Sequence, residues 1–380
     1  METRTLEFSF DEMRVNMGPQ HPSTHGVFRG VLVLEGEEIK QLIPHIGYLH
    51  RGVEKLAEHL SYVQDIPIMA RNDYLGPVHN ELVVAHAVEK LAKVQVPERA
   101  QYLRVMASEL HRIASHLVWM GTFMLDMGGA LGGGSTIFLY LFQARESIMD
   151  LYEEWTGARF HPNLIQVGGV RFDLPAGFDR RVKEALQTIR NTVNEVREMV
   201  EGNPVFEQRT RGVGILPADL AMSIGCSGPV LRASGVPYDV RKAEPYDAFD
   251  KMDFEVVTAT EGDVRARYWV RVQEIEQAAR IVEQALEGLP EGPIGSKPPI
   301  KAPVAVKAPK GEVYTRVESA RGELGAYLVS DGTHKPYRLK LRSPSFSNLQ
   351  AIQHLVVGHK VADVVVILGS LDPVFGDVDR

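Results

Sequence analysis

Cysteine is almost missing from this chain: Cys226 is the only one among 380 residues. A single thiol makes no disulfide framework within the chain, and it builds no metal centre held by several thiolates. Haem or zinc held by histidines stays open. Long apolar runs are lacking too. A membrane-spanning helix needs about 20 apolar residues, whereas the best stretch, Val361 to Leu368, is short and interrupted by Asp363. The opening METRTLEFSFDEMRV has no apolar core of the kind that marks a secretory leader. An excess of basic residues is also absent. The net charge is −7 and no basic stripe dominates, which argues against nucleic acid as a partner. These absences lead us to expect a soluble, cytoplasmic chain, with room for a contact against a membrane partner.

What is present is ordinary for a globular protein, with 44% apolar and 24% charged residues. The length suffices for one large or two ordinary domains with a substantial core. Residues 4–46 alternate apolar and polar character (Val31, Val33, Ile39, Leu42), which predicts short antiparallel strands. From about Pro77 the period becomes helical. Pro97 suits a first helical turn, and Leu103, Met106, Leu110, Ile113, Leu117 and Met120 follow at spacings of three and four. Further helices are expected from Ile137 to Trp155 and from about Phe178 to Val200. Another should run from an Asp263 N-cap through Leu286 to a stop at Gly288.

Residues 289–310 hold six of the 22 prolines and four lysines, and read as an extended arm or linker. After it, strand-like alternation and a Ser330-Asp331-Gly332 turn predict a hairpin. The expected class is α+β, mainly helical, with a long-helix bundle core and peripheral short antiparallel strands. Four segments follow: a strand-rich 1–75, a helical core over 76–288, the arm over 289–310, and a hairpin, helix and C-terminal segment over 311–380. Gly129, Gly132, Gly133 and Gly134 interrupt two helices. They follow a helix rather than a strand, so a nucleotide-binding glycine loop is not indicated.

Several side chains suggest chemistry. His21 and His25 share the turn-rich loop MGPQHPSTHGVFR (17–29). Two histidines make a weak metal site, but an imidazole titrates near neutrality and suits proton donation. Asp126 lies in the apolar FMLDMGG, where a carboxylate needs a partner; a histidine would serve, and so would capping of the glycine loop. Tyr74 in RNDYL carries a hydroxyl that a core would also satisfy. His111 and His116 are five apart, off a shared helix face, and read as structural. His161 precedes Pro162 at a helix end, where capping is the simple reading. The stretches RASG with YDVRK (232–242) and SARGELG (319–325) are turn-rich and basic, suited to pairing with a partner or an anion.

Taken together, GPQHPSTHG, PHIGYLHRGVEKL, DYL, ELHRIASHL, LDMG, RGVG, LRASG with YDVRK, ESARGELG, RLKLRSPSF and SLDPVFGDVDR resemble the D-subunit family of proton-pumping NADH:quinone oxidoreductase, respiratory complex I. The matches run from residue 18 to residue 380 in family order. That family resembles in turn the large subunit of nickel–iron hydrogenases, in which a C-terminal DPCxxC holds metal. Here Val374 and Asp377 occupy the thiolate positions, so no nickel–iron centre is expected.

The resemblance implies that the vacated pocket takes the headgroup of a quinone substrate, menaquinone or ubiquinone. His25 and Tyr74 would be headgroup ligands and proton donors, and Asp126 would pair with His25. His161, Arg51 and Arg71 would lie near a 4Fe–4S cluster of the adjacent subunit. FMN and NADH would be bound by other subunits of the peripheral arm, and a membrane-arm subunit would meet this chain at the quinone entry. The implied location is peripheral, on the cytoplasmic side of the inner membrane. The chain departs from the family at LDMGGALGGGSTIF and at Gln143-Ala144-Arg145-Glu146. Three other readings stay open: a hydrogenase large subunit, marked by nickel; a scaffold that only docks the cluster subunit; and a histidine-based metallohydrolase.

Overall fold

The structure, a computed structural model, describes residues 12–20, 25–128, 134–296 and 306–380. His21, Gly129, Gly132, Gly133 and the centre of the proline–lysine arm lie outside the described residues. The fold is α+β, roughly half helical, with small antiparallel sheets.

The first sheet is a meander of β1 (Glu12–Met17), β2 (Arg29–Glu35) and β3 (Glu38–His45). Leu32 faces Leu42 and Leu34 faces Ile39. These two partners are three apart on β3, yet both are buried, because a bulge at Val33/Leu34 resets the alternation. Two short helices follow, α1 (Val53–Ala57) and α2 (Tyr62–Met69), and then α3 (Pro77–Ala92), which starts on a proline whose missing N–H would have been unpaired anyway.

The central element is α4 (Glu98–Asp126), with Pro97 as its N-cap residue rather than inside the first turn. All six apolar positions singled out in the sequence are buried, but so are Arg104, Glu109, Arg112 and His116. The helix is therefore enclosed on every side, not amphipathic. It packs against α5 (Gly134–Thr156), and the chain continues through β4 (Ile165–Gln166), β5 (Gly169–Val170), α6 (Phe178–Val200), α7 (Pro204–Thr210), α8 (Ala218–Ser223), α9 (Gly228–Arg232) and α10 (Val240–Ala243). Next comes α11 (Val264–Glu287), a second neighbour of α4. Its Asp263 cap accepts a hydrogen bond from Ala266 N at 2.7 Å, and Gly288 ends it.

The second three-stranded sheet joins β6 (Gly311–Ser319), β7 (Gly322–Ser330) and β8 (Arg338–Arg342). The tight turn of its first hairpin is Ala320-Arg321, while the expected Ser330-Asp331-Gly332 begins the longer link from β7 to β8. Beyond α12 (Pro344–Leu349) and α13 (Ile352–Leu355) lie α14 (Val361–Leu371), the third neighbour of α4, and α15 (Phe375–Asp379). The charged C-terminus turns inward. Asp379 accepts from Gly47 N at 2.8 Å and from Leu49 N at 2.6 Å, so the chain end fastens the loop after β3.

Two basic stretches that looked available to a partner are internal. Arg232 is buried against Glu274 and Glu318 at 2.7 Å each, and Arg241 against Asp239 at 2.6 Å and Glu109 at 2.9 Å. Guanidinium groups stripped of water need such partners, and the turns of RASG and YDVRK supply the geometry. Among the described residues no helix is long and apolar enough to cross a membrane.

Candidate functional site

Asp126 closes α4, at the end where carbonyls lose their helical partners. Its carboxylate is turned toward His25, whose backbone is left-handed (φ 53). The next residue, Gly26 (φ 129), lies where a side-chain carbon would come within 3.2 Å of the Phe375 ring. That contact, with the Phe28–Phe375 ring stack at 5.7 Å, seats the histidine loop on the C-terminal segment. The result is a contact of 2.6 Å between His25 Nε2 and Asp126 Oδ2, across 101 residues of sequence.

Helix α14 closes the other side of this pair. A Cβ on Gly369 would stand 2.5 Å from Asp126 Oδ2 and 3.0 Å from His25 Nε2, so only glycine leaves room for the bond. Trp119 Nε1 of α4 donates to the Gly369 carbonyl at 2.7 Å and holds the two helices in register.

Burial works against charge on both partners. For His25 that effect is outweighed by the hydrogen bond and charge of Asp126 and by the charge of Asp372, so its imidazole is raised above the ordinary 6.5. Burial also raises the Asp126 carboxyl above 3.8, against the opposing pull of His25 and Arg209. The two shifts run the same way: each favours the proton-bound form, so the pair as a unit holds its proton more firmly than the free groups would, and the proton's position between N and O is a property of the pair. The pair opens onto a cavity of about 320 Å³ lined by His25, Thr122, Leu125, Asp126, Arg209, Ala362 and Val365.

Tyr74 does not line that cavity. It follows the buried Asp73, which is ion-paired to Arg321 Nη1 at 2.9 Å; Arg321 Nη2 lies 3.4 Å from Asp372 Oδ1. Burial raises the Tyr74 phenol above 10, with Arg321 pulling it down and Asp73 and Asp372 pushing it up. Asp372 acts on both His25 and Tyr74, so the two candidate donors lie within electrostatic reach of one carboxylate. Beyond it, Arg271 Nε is 4.0 Å from Asp372 Oδ2, and the Arg271 guanidinium lies over the Trp119 ring at 4.4 Å.

His161, Arg51 and Arg71 form a separate cluster. Arg51 donates to the Arg71 carbonyl and to Asn72 Oδ1, both at 3.1 Å. Burial first, then the positive charges of Arg71 and Arg51, push the His161 imidazole down to about 4. Asn72, which accepts from Arg51, stands two residues before Tyr74, and Gly376 packs against its carbonyl where a Cβ would come within 2.5 Å.

Val374 and Asp377, which the resemblance led us to expect at thiolate positions, are both buried. Asp377 Oδ2 accepts from Ser343 Oγ at 2.6 Å, and Ser343 is in turn the N-cap of α12, accepting from Phe346 N. Among the described residues no group of three or more His, Cys, Asp or Glu is placed to hold a metal ion. His116 pairs with Glu274 at 3.0 Å, and the His111 ring packs on Tyr152 at 4.1 Å, in line with structural roles.

The sequence reading missed Asp73, Arg209 and Gly369. Arg321 was noticed only as part of a basic turn. No local signal marks them, since each acts through partners far along the chain.

The sequence profile of the family described as "Respiratory-chain NADH dehydrogenase, 49 Kd subunit" matches residues 132–380. The chain is 48% identical over 369 residues to the NADH-quinone oxidoreductase D subunit of Desulforamulus reducens, covering 97% of this chain and 98% of that protein. It is 50% identical over 370 residues to the same-named protein of Geobacillus kaustophilus, with 97% and 98% covered. The same-named protein of Dehalococcoides mccartyi is 49% identical over 366 residues, with 96% and 98% covered. The chain belongs to this family, the 49 kDa subunit of respiratory-chain NADH dehydrogenase.

Proposed function

We propose that this chain is a peripheral-arm subunit of a proton-translocating NADH:quinone oxidoreductase and forms, with an adjacent 4Fe–4S subunit, the pocket in which quinone is reduced. Membership of the family and the names of the relatives support the complex; the local chemistry supports the role within it. The observation that carries the reading is the part-buried His25–Asp126 contact of 2.6 Å, opening onto a cavity.

Reducing a quinone to quinol takes two electrons and two protons. This chain has one cysteine and ligates no such cluster itself, so the electrons arrive from the neighbour's cluster, fed by NADH and FMN in other subunits. The chain's own part is to orient the headgroup and supply protons as negative charge develops on its oxygens. The His25–Asp126 pair, its proton held more firmly than on a free imidazole, is one donor. The half-buried Tyr74 phenol donates a hydrogen bond, and then the second proton, to the other oxygen, with Arg321, Asp73 and Asp372 acting on it electrostatically. His161, Arg51 and Arg71 face the cluster subunit, where positive charge favours the reduced cluster. The chain sits peripherally on the cytoplasmic side of the inner membrane, against a membrane-arm subunit at the quinone entry. Quinone reduction by the assembled complex is coupled to proton translocation there.

The test is replacement of His25 or Tyr74 in the intact complex. Quinone reduction should fall while NADH oxidation by an artificial acceptor persists; full quinone reductase activity in both variants removes the proposed donors.

A further inference from the structure

Among the described residues, Arg209 is the one arginine lining the cavity beside the His25–Asp126 pair. It stands on α7, a short helix whose N-terminus is capped by Asn203 Oδ1 accepting from Val205 N at 3.0 Å. The buried Phe206 of α7 sets its ring edge against Tyr268 of α11 at 5.1 Å, so the base from which Arg209 reaches is fixed.

Its guanidinium spans two other helices. Nη1 donates to the carbonyls of Asp126 (3.3 Å) and Met127 (3.2 Å), and Nη2 donates to the Ala362 carbonyl at 2.8 Å. The first two are terminal carbonyls of α4, which have no helical N–H to accept from and carry the negative end of the helix dipole. The third lies in the first turn of α14. These are the two helices that enclose the pair, Asp126 on α4 and Gly369 on α14. A planar fork with several fixed donors bridges them in a way a single ammonium does not.

We propose that Arg209 is a positioning residue for proton donation to quinone: it locks the end of α4 to α14 so that Asp126 meets His25, and its charge tunes how firmly the pair holds its proton. This rests on the pair being the donor, as argued above. Among the described residues the charged groups around Asp126 are few. His25 faces it from the N-terminal loop and Arg209 from α7; Asp372, at the end of α14, faces His25. The remaining lining residues, Thr122, Leu125, Ala362 and Val365, are uncharged. A cation beside a carboxylate lowers its proton affinity, so removing the cation makes the pair keep its proton to higher pH.

The experiment compares Arg209→Gln, Arg209→Lys and Asp126→Asn in the whole complex, measuring quinone reduction across pH and NADH oxidation with an artificial acceptor as the assembly control. Arg209→Gln should lower quinone turnover about tenfold or more and move the alkaline limb of its pH profile upward by roughly half a unit. Arg209→Lys should lower turnover with the limb unmoved, because charge is kept and the three-carbonyl bridge is lost. A uniform loss in both variants with no movement of the limb means a merely structural clamp and overturns the proposal. Wild-type turnover in Arg209→Lys also overturns it, even if Arg209→Gln fails to assemble. If Asp126→Asn itself leaves quinone reduction intact, the donor assignment fails; if it abolishes the activity while Arg209→Gln changes nothing, only this inference fails.

Discussion

Gly369 and Asp126 approach so closely that a methyl group on the glycine would stand 2.5 Å from the carboxylate Oδ2. The α14 helix can lie against the pair only because that position carries no side chain. The site is thus built by three stretches of chain: the loop of His25, the end of α4, and α14.

Gly369→Ala follows directly. The added carbon meets side chains rather than backbone, so the fold should persist while the pair is pushed apart. Quinone reduction should drop about tenfold or more, with NADH oxidation by an artificial acceptor unchanged. Wild-type quinone turnover in this variant would mean the close packing has no bearing on the reaction.

Replacing Asp126 by Asn keeps the shape and removes the charge that raises the His25 imidazole. Positioned acid–base groups contribute roughly 10²–10⁴-fold, and a loss in that range is expected for quinone reduction. The surviving activity should lose its alkaline limb at lower pH than the wild type, because His25 then gives up its proton more readily. Steady-state turnover between pH 6 and pH 9, a span of about three units around the ordinary imidazole value, reads both effects.

His161 offers a different readout. Its imidazole is held down to about 4 by burial and by Arg71 and Arg51. Arg71→Met removes one of these positive charges, so the imidazole should titrate closer to the ordinary 6.5. A redox titration of the neighbouring cluster in the assembled complex should then show its pH dependence beginning at higher pH than in the wild type. An unchanged pH dependence would detach His161 from the cluster.

Asp65 tests the fold rather than the reaction. It is buried in α2, neither carboxylate oxygen has a hydrogen-bond partner among the described residues, and burial pushes the carboxyl up to about 8. The folded chain therefore holds a proton that the unfolded chain, with an ordinary value of 3.8, releases. The stability this group contributes is full below the unfolded value and is lost as pH rises toward 8. Asp65→Asn removes that titration, so its stabilising effect should be larger by roughly 2–4 kcal/mol at pH 8 than at pH 5. Hydrogen exchange across the α2 peptide, corrected for intrinsic rates, measures it; an effect independent of pH would contradict the assignment.

Much of the helical framework was legible in the sequence. The spacing from Leu103 to Met120 marked α4, and the bounds Phe178–Val200 and the Asp263 cap stood where α6 and α11 begin or end. Local rules decide these features. Asp126 could be singled out because an isolated carboxylate in an apolar segment demands a partner. The enclosure of α4 on all sides was not legible, since it depends on buried arginines such as Arg104 and Arg112 finding carboxylates and carbonyls. The Ala320-Arg321 turn has neither asparagine nor glycine at its centre to announce it. Nor does anything in SARGELG or RNDYL reveal that Arg321 and Asp73, 248 residues apart, share one ion pair. Nothing local to the C-terminal charges announces that Asp377 and Asp379 serve as internal hydrogen-bond acceptors.

In the proposed pocket the His25 imidazole and the Tyr74 phenol serve one quinone headgroup. A structure of the assembled complex with quinone bound tests it most directly. One headgroup oxygen should lie within hydrogen-bonding distance of His25, still paired with Asp126, and the other within reach of the Tyr74 hydroxyl. A headgroup bound elsewhere, with His25 and Tyr74 opening onto unconnected cavities, would contradict it.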